Sequence, residues 1–279
     1  MIDAVVVTHN TAALAVRCVR ALLASTRPPD RIVVVDTGAE GLAEASAASV
    51  SSPAVAIQRL PGNPGYGLAA NAGADRGTAP LILVANADTY SDPDALEYLA
   101  DHLEEEPAAG CAGPALVSVD GAPQDAAFRF PGLAQAVLDE WPVPRWLKQS
   151  PLNGRIVAAE RPVEIDHPLG AFMLLRRTAF EAVGGFSPAY RMYAEELDLC
   201  RRMKLAGWRI AHVPRARVTH VGGASARQMP AAMFEELYRS RARWYRTHAT
   251  PGRARAAVAA LWLGLAYRAA WPGPRQAAY

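Results

Sequence analysis

Several features that define whole classes of protein are scarce or missing in this sequence. Its 279 residues include only three cysteines, whose scattered positions (18, 111 and 200) exclude a disulfide framework or a cysteine-rich zinc site. The formal net charge of +2 argues against a general nucleic-acid-binding protein. The longest uncharged stretch near the C-terminus, residues 256–267, is far shorter than the roughly 20 residues that a membrane span requires.

Two sequence signals are missing as well. No G-x-G-x-x-G motif follows the first predicted strand, so the sequence offers no dinucleotide-binding fingerprint. Met1 leads directly into a predicted strand, so we expect no secretory signal. With the composition, these absences predict a cytoplasmic globular protein that has reduced thiols and no nucleic-acid partner.

The first 105 or so residues alternate between buried strands and helices in the order β-α-β-β-α-β-α. Apolar and β-branched runs predict the strands Ala4–Val7, Ile32–Val35, Val55–Ile57 and Leu81–Ala85. This alternation is typical of a mostly parallel sheet covered by helices. The fold class is therefore α/β.

The rest of the chain is less regular. The stretch Pro107–Pro168 shows few clean periods, and we interpret it as a strand with long loops. Further patterns predict the strands Ala171–Leu175, Trp208–Val213 and Arg217–His220, and helices at Thr178–Val183, around Leu197–Met203, Met229–His248 and Ala254–Trp271.

Polar residues follow two of the buried strands where these end. Asp88 comes after Leu81–Ala85 with Asn86 before it, and Asp36 ends the second strand. Because parallel strands present their carboxyl ends at one edge of a sheet, ligands bind there. Asp88 then either binds Mg²⁺ or Mn²⁺, hard cations that take carboxylate and phosphate oxygens, or caps the next helix. Asp36 either accepts hydrogen bonds from a nucleoside or is a plain turn residue.

A turn-rich loop, Asn63–Gly67, precedes a helix of small residues that contains Asn71. Glycines such as Gly65 let the backbone approach a ligand closely. Tyr66 offers a ring that can stack on a base or sugar. The alternative is an ordinary turn.

Three carboxylates, Glu195, Glu196 and Asp198, lie at the start of a predicted helix. They suit the positive end of the helix dipole, so capping is one explanation. The other is catalysis, because crowding and burial raise the pKa of a carboxyl group toward the range of a general base. Adjacent helical residues point about 100° apart, so we expect only one glutamate to face a cleft.

His220 ends a strand and precedes a glycine-rich loop, where it is either structural or part of a metal or phosphate site. Arg227 follows at a position from which it can meet a phosphate.

Together these segments resemble a family 2 glycosyltransferase of the GT-A fold, most closely its bacterial rhamnosyltransferase-like branch. The matching segments span about residues 4 to 225. In order they are Val5–Asn10, Val34–Asp36, Asn63–Gly73, Asn86–Asp88, Gly170–Met173, Gly184–Phe186, Glu195–Arg201 and His220–Gly223.

The resemblance implies an inverting, metal-dependent transferase that acts on a nucleotide sugar. It implies that Thr8, Asn10 and Asp36 hold the nucleoside, that Asn71 lies near the ribose or diphosphate, and that Asp88 and His220 bind the metal. Glu196 stands where the family commonly has an aspartate base, which leaves the choice between Glu195 and Glu196 open. The resemblance favours dTDP-L-rhamnose as the donor, with other dTDP- or UDP-sugars as alternatives.

The implied acceptor is a hydroxyl of a glycan, a lipid-linked glycan or another small molecule in cell-surface polysaccharide synthesis. We expect it to meet the loops between Phe128 and His167, where Trp141 and Trp146 can stack on sugars. The implied division is a GT-A catalytic domain, 1–228, with a nucleotide-binding half at 1–105 and an acceptor half at 106–228. A helical extension at 229–279 follows.

The arginines and tryptophans of the C-terminal helices allow two interpretations. One is a basic amphipathic surface that contacts the inner face of a membrane. The other is packing against the catalytic domain or a second subunit in a homodimer. Two other functions also stay open: a sugar-nucleotide pyrophosphorylase, which would need a basic glycine-rich loop after the first strand, and a catalytically degenerate scaffold subunit.

Overall fold

The structure is a computed structural model, and it describes residues 1–38, 50, 52–148, 150–156, 160–223 and 230–270. Twelve strands are numbered here in chain order. They are β1 Ile2–Thr8, β2 Arg31–Asp36, β3 Val55–Arg59, β4 Leu81–Asn86, β5 Thr89–Ser91, β6 Ala109–Val117, β7 Pro123–Gln124, β8 Ala127–Phe128, β9 Val163–Glu164, β10 His167–Pro168, β11 Phe172–Arg176 and β12 Arg209–His220.

Ten of these strands form one sheet, whose main path runs β3-β2-β1-β4-β11-β6-β12-β5. The first four strands of the path are parallel, and β1 aligns Thr8 with Asp36 on one side and Val7 with Asn86 on the other. Apart from Asp3, Thr8 and Asp36, the buried residues of β1, β2 and β4 are Val, Ile, Leu and Ala, as expected of strands covered on both faces. The polar ends of three strands therefore meet at one edge.

The other half of the sheet is mixed. Strand β11 runs antiparallel to both β4 and β6, and β12 lies parallel to β6. The short β5 turns back after β4 and pairs antiparallel with β12, which sets Thr89 opposite His220. This pairing brings the segment after β4 beside the end of β12.

Nine α-helices in the described part of the chain flank the sheet. They are α1 Ala12–Leu23, α2 Tyr66–Ala74, α3 Ala95–Glu105, α4 Leu133–Glu140, α5 Arg145–Lys148, α6 Arg177–Ala182, α7 Glu195–Leu205, α8 Pro230–His248 and α9 Pro251–Ala270. One buried cluster packs α1 and α3 on one face, and a second packs α2, α6 and α7 on the other. The predicted α/β fold, a mostly parallel sheet flanked by helices, is confirmed.

Two local predictions were wrong. The stretch Pro107–Pro168, expected to be a strand with long loops, also contains the helices α4 and α5. The two strands predicted at Trp208–Val213 and Arg217–His220 are one strand, β12, whose register against β6 shifts between Val213 and Arg217. Pro214 sits at this irregularity, where a missing backbone N–H is tolerated.

The C-terminal helices α8 and α9 pack against α4 and each other. Glu140 at the end of α4 is buried, and its carboxylate accepts hydrogen bonds from Tyr238 (2.8 Å) and Arg241 (2.7 Å) and pairs with Arg268 (3.2 Å). Trp244 is buried and donates to the carbonyl of Pro131. No helix in the described part of the chain has the length and apolarity needed to cross a membrane. The division into domains stays a prediction.

Candidate active site

A cleft of about 430 Å³ opens at the carboxyl edge of β1 and β4. Its walls come from strand ends, from the segment before α7 and from the first turns of α8. The predicted site residues that line it are Thr8, Gly65, Tyr66, Asn86, Asp88, Glu195, Glu196 and His220. One cleft therefore brings together residues from the whole length of the catalytic fold.

Thr8 and Asp36 end neighbouring strands, and of the two Thr8 lines the cleft while Asp36 does not. Thr8 is buried and its Oγ1 lies 2.9 Å from Oγ1 of Thr11. One oxygen of Asp36 accepts a hydrogen bond from the Gly38 N–H, while Oδ2 is buried with no partner among the described residues. A buried carboxylate oxygen without a donor is costly, so Asp36 suits a ligand that brings an N–H or O–H.

The neighbourhood of Asp36 contains two further polar groups. Asn10 has a positive φ of 53°, and its side-chain oxygen lies next to Gly38. His9 also lines the cleft, with its Nδ1 3.1 Å from Oγ1 of Thr37.

Asp88 and His220 lie side by side, with Oδ1 and Nε2 3.6 Å apart. The backbone supports this contact, because the Val221 N–H donates to the Asp88 carbonyl at 3.0 Å. Both side chains are largely buried. Burial lowers the pKa of His220, against the opposing effect of Asp88, so the imidazole is favoured in its neutral form.

Gln124 on β7 fixes the orientation of the His220 ring. Its Nε2 donates to the His220 carbonyl at 2.8 Å, so its Oε1 must accept at the 3.0 Å contact with Nδ1 of the ring. The ring therefore carries its proton on Nδ1, and the lone pair of Nε2 faces Asp88. A metal-binding histidine is commonly held in this way by a second residue. No pattern in the sequence points to Gln124, which lies in a two-residue strand.

The side chains of Asp88 and His220 are suited to bind a divalent cation, for which they offer two ligand atoms. A carboxylate oxygen and a neutral imidazole nitrogen are suitable donors for Mn²⁺, and their spacing lets both contact one ion. In the described residues no group of three or more His, Cys, Asp or Glu side chains is arranged to hold a metal. The remaining ligands of an ion at this site would therefore have to come from substrate or water.

Glu195 and Glu196 begin α7, and both line the cleft, contrary to the expectation that only one would. Glu195 is buried and its Oε2 has no partner among the described residues. Two non-glycine residues with positive φ, Tyr193 (65°) and Ala194 (64°), precede the pair. Such backbone is strained, and strain of this kind is concentrated at functional sites.

Burial raises the pKa of both glutamates. For Glu195 the rise is large, and the charges of Glu196 and Glu236 add to the effect of burial. For Glu196 burial raises the pKa to about 7, while N–H groups of Glu196, Leu197 and Gly170 oppose it. A carboxyl group that titrates near neutral pH is suited to accept a proton from a hydroxyl.

The loop before α2 forms part of the cleft wall through Asn63 and Gly65. Gly65 has φ 103° and ψ 163°, a region open to glycine, and any Cβ there would overlap the Arg191 carbonyl. The Tyr66 N–H donates to that carbonyl at 3.0 Å. The Tyr66 hydroxyl donates to the Gly170 carbonyl and its ring packs edge-on against Phe186. Tyr66 is therefore largely buried, although it still forms part of the cleft lining.

Two other expectations are corrected. Asn71 does not line the cleft, because its side-chain amide donates to the Phe186 carbonyl at 2.8 Å and accepts from the Phe186 N–H at 2.9 Å. No described residue between 128 and 167 lines it either, and Trp141 stacks on Tyr267 instead. Arg227 lies outside the described residues.

The cleft is instead bounded by residues of α8 that the sequence did not single out. Met233, Glu236 and Arg239 line it. The buried Ser240 donates to the Met192 carbonyl at 2.8 Å, which joins α8 to the segment before α7. The start of the C-terminal helices is thus part of the site.

Carboxylates outnumber arginines in this lining. Its described residues include five carboxylates (Asp88, Glu195, Glu196, Glu235 and Glu236) and two arginines (Arg191 and Arg239). Such a surface repels an anionic ligand at short range unless protons or a cation reduce its charge. A diphosphate would therefore bind more readily with a divalent cation.

Comparison with known proteins gives a consistent result. Residues 2–247 match the family described as glycosyltransferase like family 2. The chain is 30% identical over 264 residues to the N-acetylglucosaminyl-diphospho-decaprenol L-rhamnosyltransferase of Mycobacterium tuberculosis, covering 86% of this chain and 82% of the relative. A shorter segment of 56 residues is 45% identical to the rhamnosyltransferase WbbL of Escherichia coli, covering 20% of this chain and 21% of WbbL.

Solved structures share the fold. The crystal structure of GalNAc-T7 with UDP, GalNAc and Mn²⁺ superposes with a TM-score of 0.63 at 16% identity, over 95% of this chain and 55% of that protein. The mannosyltransferase PcManGT from Pyrobaculum calidifontis, in complex with GDP-Man and Mn²⁺, gives a TM-score of 0.57 at 18% identity, over 99% of this chain and 77% of that protein. At these identities the likeness concerns the fold alone.

Proposed function

Because this chain belongs to the glycosyltransferase-like family 2, we propose that it transfers L-rhamnose from dTDP-L-rhamnose to a hydroxyl of a lipid-linked glycan. The observation that carries a transferase is the single cleft that holds Asp88, His220 and Glu196. The choice of sugar and acceptor is supported by the rhamnosyltransferase relatives, one of which is named for a decaprenol-linked N-acetylglucosamine.

In this proposal Asp88 and His220 hold a Mg²⁺ or Mn²⁺ ion together with the donor diphosphate. When bound, the ion neutralises negative charge on the departing nucleoside diphosphate. Gln124 keeps the lone pair of His220 Nε2 directed toward the cleft. Thr8, Asn10 and Asp36 bind the nucleoside, with the unpartnered Asp36 Oδ2 accepting a hydrogen bond.

Glu196 is the proposed base. Its carboxylate takes the proton of the acceptor hydroxyl, and the hydroxyl oxygen attacks the anomeric carbon from the face opposite the diphosphate. The bond from that carbon to the diphosphate oxygen breaks, the nucleoside diphosphate leaves, and the configuration inverts. Glu196 is favoured over Glu195 because it is less buried and its pKa of about 7 leaves it partly ionised at neutral pH. Burial raises the pKa of Glu195 well above its usual range, which favours its protonated form, and in that form it can donate a hydrogen bond to a substrate hydroxyl.

A lipid-linked acceptor implies work at a membrane surface, and we propose the cytoplasmic face, where nucleotide sugars are available. The pyrophosphorylase alternative is disfavoured by the family, and the scaffold alternative by the carboxylates and histidine kept in the cleft.

The test of this function has two stages. A thermal-shift screen with Mn²⁺ compares dTDP-L-rhamnose with UDP- and GDP-sugars, since a ligand of the folded state raises its melting temperature. Transfer is then measured to a water-soluble N-acetylglucosaminyl diphosphate, with and without EDTA. We expect transfer only from dTDP-L-rhamnose and loss on chelation. Transfer that survives exhaustive chelation would remove the metal from the proposal.

The base is tested by Glu196→Gln. Loss of a general base typically lowers kcat by about 10²- to 10⁴-fold, and donor binding should not change. Glu195→Gln is the matched control, since it keeps Glu196 and should lower kcat less. The opposite ranking would assign the base to Glu195.

A further inference from the structure

The C-terminal end of the chain carries charge of one sign. From Leu237 to Tyr279 the sequence contains eight arginines and no aspartate or glutamate. The preceding 236 residues contain 21 lysines and arginines and all 27 acids. Charge asymmetry of this kind is typical of a protein with an anionic surface as partner.

Helix α9 is apolar on two faces, and one of them is open. Ala257, Leu261 and Gly264 are buried toward α4 and α8. At the spacing of the opposite face, Ala259, Trp262, Leu263, Ala266 and Tyr267 are exposed, with 49% of Trp262, 59% of Leu263 and 41% of Tyr267 accessible. We call these five residues the outer face of α9.

The outer face belongs to a helix that is fixed on the rest of the protein. Arg268 donates to the Glu140 carbonyl at 3.1 Å, and the backbone at Gly264 approaches Glu140 so closely that a Cβ would overlap its side chain. Tyr267 stacks on Trp141 with ring centres 5.9 Å apart. The face is therefore formed in advance and needs no ordering when a partner binds.

Arginines border this face at the start of α9. Arg253 and Arg255 are exposed, and Arg255 lies one turn before Ala259 on the same side of the helix. Neither forms an ion pair within the described part of the chain, in contrast to Arg241 and Arg268. Their charge is available to an external anion.

We propose that the outer face of α9 rests on an anionic lipid surface. Trp262, Leu263 and Tyr267 lie at the boundary between headgroups and acyl chains, and Arg253 and Arg255 contact lipid phosphates. The inference rests on the proposed function in one respect, since a lipid-linked acceptor gives the contact its purpose.

The surface fits lipid better than the other two partners. A symmetric dimer through α9 would offer Arg253 and Arg255 no carboxylate on the partner helix, because α9 contains no aspartate or glutamate. A nucleic acid would use the arginines but would gain little from Ala259, Leu263 and Ala266, which offer no hydrogen bonds.

The fold connects this surface with the cleft. Helix α8 has 19 residues, about 28 Å at 1.5 Å per residue, and it leads directly into α9. Met233 and Glu236 at its start line the cleft. A lipid-bound α9 would thus hold the cleft at a fixed position relative to the membrane.

Co-sedimentation of the full chain with vesicles tests the proposal. Vesicles of phosphatidylcholine with phosphatidylglycerol should bind the protein, and phosphatidylcholine alone should bind it much less. Leu263→Glu should lower the binding roughly tenfold or more, and Arg253→Glu with Arg255→Glu should lower it by a similar factor. Transfer to the water-soluble acceptor should stay at the wild-type rate in both variants.

Matched controls separate these effects from general changes in charge. Leu205→Glu replaces another exposed leucine, 69% accessible at the end of α7, and should bind vesicles as the wild type does. Arg76→Glu with Arg161→Glu removes two exposed arginines elsewhere and should do the same.

Three outcomes would overturn the proposal. Vesicle binding could be absent in the wild type. It could survive Leu263→Glu while the arginine variant loses it, which would indicate a polyanion site. The wild type could be a dimer in sedimentation that Leu263→Glu converts to a monomer, which would make the face a subunit interface. None of these depends on whether rhamnose is the sugar, so the two proposals fail separately.

Discussion

The carboxyl group of Glu196 lies where its protonated form is favoured. Burial raises its pKa from 4.5 to about 7, so the folded state binds this proton more tightly than the unfolded state. The resulting stabilisation is fully present below pH 4.5 and is lost as the pH rises through 7.

Glu196→Gln should therefore flatten the pH dependence of stability. Between pH 5 and 8 the wild type should lose up to about 3 kcal/mol of unfolding free energy from this group, and the variant should not. Urea unfolding at several pH values measures the difference. Parallel curves for the two proteins would show that the pKa of Glu196 is not raised.

Gln124 offers a second test at the scale of a residue. Gln124→Ala removes the acceptor for His220 Nδ1, and the loss of such an orienting group typically lowers metal affinity by about 10- to 100-fold. Mn²⁺ binding in the presence of dTDP, followed by electron paramagnetic resonance, measures it. Gln124→Glu keeps the acceptor and should retain more affinity, while Gln135→Ala, outside the cleft, should change nothing.

These residues also show which parts of the candidate site could be predicted from the sequence and which could not. Asp88 follows an apolar strand and His220 ends another strand, local patterns that predicted both at a sheet edge, and the fold sets them 3.6 Å apart. Gln124 meets His220 from 96 positions away in the chain, through a strand too short to have a pattern. Asn71 was assigned to the ligand because its type and place suited one, but an amide satisfies a backbone turn equally well.

At the scale of an element, the loop between β3 and α2 depends on backbone conformations that only glycine adopts easily. Gly65→Ala meets both an unfavourable φ and the Arg191 carbonyl, whereas Gly62→Ala meets an unfavourable φ of 86° in open space. We expect Gly62→Ala to cost about 1 kcal/mol and Gly65→Ala at least about 2 kcal/mol.

Thermal unfolding of both variants measures the difference. Gly65→Ala should also weaken donor binding, because the shifted Arg191 segment leads into Tyr193, Ala194 and the two glutamates. Equal melting temperatures for the two variants would show that the close approach to Arg191 is not maintained in solution.

Elements with a strong period were predictable, and those defined by distant contacts were not. The apolar spacing of Leu14, Cys18 and Leu22 predicted α1, and the unbroken apolar run predicted β4. Helix α4 has only eight residues and gains its buried face from α9, far along the chain. The short α5 has no buried residue, so its sequence has no apolar stripe from which a helix could be predicted.

At the scale of the whole molecule, Glu140 joins the C-terminal helices to the catalytic part. Its buried carboxylate contacts Tyr238, Arg241 and Arg268, so Glu140→Leu leaves these donors without their shared acceptor. We expect the free energy of unfolding to fall by about 2 to 4 kcal/mol, which is near the range for breaking a buried ion pair. The loss is reduced because Arg241 keeps its ion pair with Asp139.

Asp139→Ala is the matched control for this change. Asp139 is partly exposed, and Arg241 is its one ion-pair partner among the residues that the structure describes, so the loss should be about 1 kcal/mol or less. Hydrogen exchange on α8 and α9 distinguishes local from global loosening. Because α8 lines the cleft, Glu140→Leu should also raise the KM for substrate. An unchanged KM would show that the packing of the C-terminal helices does not affect the cleft.

The pairing of β5 with β12 has a consequence for the order of folding. The sheet can bring Asp88 beside His220 only after β12, near the end of the catalytic fold, has closed against β5. Contacts between such distant segments form late, because the chain must first lose the entropy of a long loop. If Asp88 and His220 bind the cation as proposed, the onset of Mn²⁺ binding during refolding should therefore report when β12 closes against β5.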